Sequence, residues 1–190
     1  MPMNRAHRRL CSSRTWAGYT ERRLLPWALE GVELGKDVLE LGPGYGANLR
    51  VLVERVPRLT ALEIDGPTAG RLEREWAGRV RVLHGDAAAM PLPDGDFSAV
   101  VCFTMLHHVP TATLQDRLLA EAFRVLRPGG VFAGSDSQST LPFRLLHLGD
   151  TMNVLDPARF RDRLTSAGFE DTVVERDRRG HSIRFRARKA

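Results

Sequence analysis

The chain has 190 residues, enough for one domain with a sizeable core and too few for two. Hydrophobic residues make up 43% and charged residues 27%, the balance of an ordinary globular chain, which sets aside fibrous and disordered classes. The net charge of +5 is carried almost wholly by arginine, with Lys36 and Lys189 the only lysines, so charge alone is a weak argument for nucleic acid.

The N-terminal stretch "MPMNRAHRRLCSSR" is basic but has no apolar run behind it, and no segment approaches the ~20 apolar residues of a membrane span. Cys11 and Cys102 make neither a disulfide framework nor a zinc-ligand cluster. A reduced, cytoplasmic protein with no membrane span, no secretory signal and no metal site is therefore expected.

In chain order, residues 1–35 read as a helical N-terminal cover. Val38–Leu41 is a short apolar strand that runs into a glycine-rich turn. Ala47–Val56 follows with helical spacing at Leu49, Leu52, Val53 and Val56. Leu59–Ile64 is the next strand and Pro67–Trp76 the next helix, with proline in its first turn. Val80–His84 and Phe97–Phe103 are the third and fourth strands. Thr113–Leu126 is an amphipathic helix stopped by "RPGG", and Gly130–Asp136 is the fifth strand. Residues 137–156 read as an irregular insertion on the substrate side. Pro157–Ala167 is a helix, and "EDTVVERD" and "SIRFRAR" close the chain as a hairpin joined by "RRGH".

Short apolar strands alternating with helices predict an α/β, Rossmann-like fold. Its seven-stranded sheet is mostly parallel, with helices on both faces and one antiparallel strand from the C-terminal hairpin. One domain is expected over residues 1–190, with a ligand-binding core at 36–136 and a C-terminal helix and hairpin at 157–190. The last strand alternates arginine with Ile183, Phe185 and Ala187, as a strand with one solvated face does. Its arginines, and those of Arg5–Arg9, are read as solvated; RNA or an acidic substrate is the alternative.

In open α/β sheets the ligand sits beyond the carboxyl ends of the strands. The segments there are Glu40–Gly46, Glu63–Asp65, Gly85–Ala87, Thr104–His108 and Ser135–Asp136, and four of the five carry a carboxylate while none carries lysine or arginine. A pyrophosphate is disfavoured in such surroundings and a cationic ligand is favoured. Pro43 also removes a backbone donor that a phosphate cradle needs. Gly42, Gly44 and Gly46 still permit close approach of a ligand to the backbone. "GPGYGA" also satisfies the dinucleotide pattern G-x-G-x-x-A, which Glu40 and Pro43 argue against. Glu63 stands where an acid accepts from ribose hydroxyls, about 20 residues past the glycine turn. Asp65 reads as a helix cap, and Asp86 as an acceptor for an adenine amino group. A ligand with a ribose, an adenine and a cationic end fits these positions; S-adenosylmethionine is such a ligand.

Five ordered motifs, "ELGPGYG", "ALEID", "GDAAAMPLPDGDFSAVV", "LHHV" and "RVLRPGG", resemble those of the class I S-adenosylmethionine-dependent methyltransferases. The likeness is to the small-molecule branch, the ubiquinone/menaquinone-type or methyltransferase type 11-like enzymes. The resemblance implies adenosylmethionine as cofactor, bound by Glu40, Gly42, Gly44, Gly46, Glu63, Asp86, Ala87 and Thr104. His107, past the fourth strand, is implied as a general base, histidine being the side chain that titrates near neutrality. Trp16, Tyr19, His108, Phe143, His147 and Met152 are candidates for the substrate cover.

Methyl transfer is an in-line displacement from a neutral leaving group, so approach geometry and water exclusion matter most. The Asn/Asp-Pro-Pro-aromatic stretch of amino-methylating nucleic-acid enzymes is replaced here by "TMLH", and Cys102 lies within a strand. A small-molecule acceptor is therefore expected rather than nucleic acid. An RNA methyltransferase and a non-catalytic adenosylmethionine- or dinucleotide-binding protein are the alternatives.

Overall fold

The computed structural model describes residues 4–190, so residues 1–3 of the expected N-terminal cover lie outside the described residues. Seven strands form one sheet: β1 (Asp37–Leu41), β2 (Arg58–Glu63), β3 (Arg81–His84), β4 (Phe97–Phe103), β5 (Leu126–Ser137), β6 (Glu170–Arg176) and β7 (Ser182–Arg188). Their order is β3-β2-β1-β4-β5-β7-β6. Strands β1 to β5 pair in parallel, while β7 lies antiparallel to both β5 and β6. This is the expected Rossmann-like sheet. Strand order reverses between β1 and β4, and a crevice opens at such a switch point.

The helices are α1 (Arg5–Cys11), α2 (Arg14–Tyr19), α3 (Leu25–Ala28), α4 (Leu49–Leu52), α5 (Gly66–Glu75), α6 (Ala112–Val125), α7 (Leu141–Leu146) and α8 (Pro157–Ser166). Their starts are written in short polar side chains that accept from free backbone N–H groups. Asn4 accepts from His7 N, Ser13 from Trp16 N, Asp65 from Thr68 N, Thr111 from Leu114 N and Thr140 from Phe143 N. Asp65 is thus the helix cap that the sequence predicts.

Every residue of β4 is buried, because helices cover both faces of the sheet. Val100 packs on one side with Leu39, Phe132 and Leu118, and Val101 on the other with Val38, Ala61 and Leu52. Burial of each such aliphatic side chain contributes about 1.5–3 kcal/mol. The close pairing of β4 and β5 depends on Gly134, where a Cβ would collide with the carbonyl oxygen of Cys102. Cys102 itself is buried in the core.

Three boundaries differ from the sequence reading. The helix expected over Ala47–Val56 contracts to α4, flanked by turns in which Val51 N bonds Asn48 O and Arg55 N bonds Leu52 O. "RPGG" ends α6 as expected but lies within β5, which pairs Leu126 with Phe97 and shifts register before Val131 meets Ala99. The insertion at 137–156 is not irregular throughout, since it contains α7. On β7, Ile183, Phe185 and Ala187 are buried between outward arginines, and Arg184 pairs with Glu30 and Glu175. That is the solvated face the alternation predicts.

Candidate active site

A cavity of about 490 Å³ opens at the β1/β4 switch point, the size of a small-ligand pocket. One end is walled by Gly42–Tyr45, Glu63, Ile64 and Gly85–Ala88. At the other end stand His7, His107, His108, His147, Phe143 and Leu146, with Trp16, Leu10 and Cys11 from the N-terminal cover.

The three glycines of the turn do three different things, although all have positive φ. A Cβ at Gly42 would collide with the Met105 side chain, so this glycine lets the segment after β4 close over the turn. A Cβ at Gly46 would press on Leu72 and Trp76, which makes it a packing position against α5. Gly44, with φ +54°, has open space where its Cβ would stand, and lines the cavity. Of the three, Gly44 is the bare backbone offered to a ligand.

Glu63 ends β2 and lines the cavity while only 6% exposed. Its Oε2 accepts from Gly44 N at 3.0 Å and its Oε1 from Asp65 N at 3.0 Å. The carboxylate therefore shapes the glycine turn and keeps lone pairs for a further donor. Asp86 lines the same end and accepts from Ala88 N at 2.8 Å, with Ala87 beside it.

Glu40 is not among the residues that line the cavity, a correction to its reading as an acid at the mouth of the turn. Side chains alternate along a strand, so Glu40 points to the same side as Val38, into the core under α4. It is fully buried; its Oε1 accepts from Asn48 Nδ2 at 2.7 Å and its Oε2 has no partner. Burial pushes its carboxyl up to about 8, opposed by the Asn48 bond and helped by the nearby Glu63 charge. Asn48 does line the cavity and links Glu40 to it. Thr104 also lines it, with an unusual φ of +50° for a residue with a side chain. Its N donates to Ser135 O and its hydroxyl to Phe103 O.

His107 follows β4 and is buried. Asp136, at the end of β5, accepts from His107 N at 2.9 Å and from its Nδ1. The other ring nitrogen, Nε2, stands 3.2 Å from His147 Nε2. His147 Nδ1 is held by Phe143 O at 2.8 Å, and Phe143 packs edge-on against His107. Burial lowers the pKa of His147 and takes that of His108 down to about 2, with the neighbouring histidines adding to the effect at His108. His7, from α1, is buried, and its Nδ1 bonds Asp150 Oδ2 at 2.8 Å. Asp150 also accepts from Asn4 N, which ties α1 to the insertion. Burial and the Asp150 charge raise the Cys11 thiol to about 11.

Trp16, His108, Phe143 and His147 meet at the cavity, whereas Tyr19 and Met152 do not line it; Tyr19 is 45% exposed. His7, Asn48, Asp136 and Asp150 escaped the sequence reading as site residues. Asp136 had a visible signal, an acid at the end of a strand. His7 and Asp150 had none, because each is polar and stands in a segment without strand periodicity.

Residues 39–134 match the family described as Methyltransferase domain. The chain belongs to that family. A probable S-adenosylmethionine-dependent methyltransferase of Mycolicibacterium smegmatis is 36% identical over 145 residues, 72% of this chain and 52% of that protein. The ubiquinone/menaquinone biosynthesis C-methyltransferase of Methylobacterium nodulans is 47% identical over 78 residues, 39% of this chain and 30% of that one. The chain spans about half the length of the first of these relatives. In a Haloferax volcanii complex between the Trm112 methyltransferase activator and a methyltransferase, one chain shares the fold over 99% of both lengths, with TM-score 0.75 and 17% identity. The matched segment is a methyltransferase domain, and the first of these relatives is named as dependent on S-adenosylmethionine. No described helix is long and apolar enough to cross a membrane.

Proposed function

We propose that this chain transfers a methyl group from S-adenosylmethionine to a small organic acceptor. The observation that carries the reading is one cavity joining two chemically different ends. The first has open backbone at Gly44 beside the carboxylates of Glu63 and Asp86; the second is lined by imidazoles. The residues present fit the cofactor: the space over Gly44 would be filled by any Cβ, and Glu63 keeps acceptor capacity beyond its two backbone bonds.

When bound, adenosylmethionine supplies a methyl group activated on a sulfonium. Glu63 would accept from the ribose hydroxyls, with Asp86 and Ala87 at the adenine and Gly42, Gly44 and Thr104 along the backbone of the turn. Glu40 acts at one remove, through Asn48, as a positioning residue; Gly46 positions the turn against α5. The histidine-lined end takes the acceptor, with Trp16, His108, Phe143 and His147 as its walls. Those walls orient the acceptor and exclude water, which is where most of the rate arises in an in-line displacement. For an acceptor that is a hydroxyl, His107 held by Asp136 takes the proton. The nucleophile is an oxygen, nitrogen, sulfur or carbon atom.

Calorimetry of the protein with adenosylmethionine, adenosylhomocysteine and NAD tests the first half of this reading. Binding of the two adenosyl ligands without NAD is expected, and the reverse preference would overturn it. A screen of small acceptors for adenosylhomocysteine formation tests the second half, and cofactor binding without turnover on any acceptor would leave a binding protein.

A further inference from the structure

Four imidazoles crowd the acceptor end of the cavity, brought there by α1, the segment after β4 and the segment after α7. Each is fixed from behind. Asp150 accepts from His7, Phe143 O accepts from His147, and Asp136 holds His107. His108 bonds the Thr151 backbone. A carboxylate or carbonyl on the far nitrogen is the arrangement that orients histidines as metal ligands, because it fixes the tautomer and aims the near lone pair.

The tautomers leave little choice. Phe143 O can only accept, so His147 Nδ1 carries the hydrogen and its Nε2 presents a lone pair. Asp150 takes the hydrogen of His7 Nδ1, which turns a second lone pair toward the same space. The nearest nitrogen atoms of His7, His108 and His147 lie within 4.8 Å of one another. His107 Nε2 faces His147 Nε2 at 3.2 Å.

We propose that His7, His108 and His147 bind a divalent transition-metal ion of the kind that favours imidazole, with Zn²⁺ as its representative, and that His107 stands beside it. Three histidines on one ion leave a coordination position for water or a ligand atom, as in open zinc sites. All three line the cavity, so that position serves the acceptor end. On the methyltransferase reading, from which this role follows, a ligating oxygen, nitrogen or sulfur of the acceptor is held there. Asp150 is a positioning residue for the ion through His7.

The experiment uses the untagged full chain, stripped with chelator and titrated with Co²⁺ and then Zn²⁺. One equivalent of Co²⁺ should give the visible absorption of an imidazole-bound ion of low coordination number, and one equivalent of Zn²⁺ should abolish it. His7→Gln and His147→Gln should each remove that spectrum. Asp150→Asn should leave the spectrum and weaken affinity by about 10–100-fold. Absence of a stoichiometric spectrum in the wild type overturns the site, as does a spectrum that survives both histidine substitutions in variants with native circular dichroism. The wild-type titration decides the matter even where a variant does not fold. Because it uses neither adenosylmethionine nor acceptor, its failure leaves the methyltransferase reading standing.

Discussion

At the end of the cavity proposed to hold the cofactor, the polar groups come from the backbone of one turn and from acids at the ends of adjacent parallel strands. At the proposed acceptor end they come from imidazoles on segments that meet only when the chain is folded. The first end is fixed by the sheet itself, since β1, β2 and β3 share one parallel register that sets the Gly44–Glu63 distance. The second is fixed by side-chain bonds across long separations, such as His7 to Asp150 and His107 to His147. A family can therefore keep the first end and change the second without disturbing the sheet.

The sharpest way to break the cofactor end is Gly44→Val. A branched side chain at φ +54° is strained and its Cβ fills the space a ligand would occupy, so adenosylmethionine binding should disappear from calorimetry while circular dichroism stays native. Normal binding by this variant would remove the turn from the site. At the acceptor end, His107→Gln should lower single-turnover methylation of a hydroxyl acceptor by about 10²–10⁴-fold with cofactor affinity nearly unchanged. A parallel loss of cofactor affinity would mean that the two ends are not separable.

Glu63→Ala should weaken adenosylmethionine binding by the ~1.5–3 kcal/mol of hydrogen bonds to a charged group. Glu63→Gln should weaken it less, because the amide oxygen still accepts one backbone bond. An unchanged dissociation constant in both would take Glu63 out of the site. The last prediction concerns stability rather than binding, at Glu40. Its folded-state pKa of about 8 lies above the ordinary 4.5, so the folded chain binds more protons than the unfolded chain between those values. Stability contributed by this group therefore falls as pH rises from about 4.5 to about 8 and is level beyond. Glu40→Gln keeps an acceptor for Asn48 and should flatten that fall of Tm with pH. Melting curves from pH 5 to 9 check it, and identical slopes in both proteins would show that Glu40 is ionised in the fold.

The same contrast governs what could be read in the sequence. Strand periodicity and the hairpin at "RRGH" placed the sheet, and the motif spacing placed the glycine turn and the strand-end acids beside it, because all are built from contiguous residues. Glu40 was misplaced because its neighbour in sequence, the glycine turn, bends away from the direction its own side chain takes under α4. The histidine cluster was half visible: His107, His108 and His147 stood out by residue type, but their grouping with His7 depends on how α1 and the insertion fold over the sheet. Such contacts leave no periodic mark.

The placement of β7 has a consequence for the order in which the protein is made. Asp136, which holds His107, sits on β5 opposite Ile183 of β7, a strand synthesised after the other six. Until the β6–β7 hairpin arrives and slips its second strand inward, β5 is an open edge ready to pair with any other extended chain. A chain with the glycine turn already formed thus keeps the β5 edge exposed until β7 is paired with it.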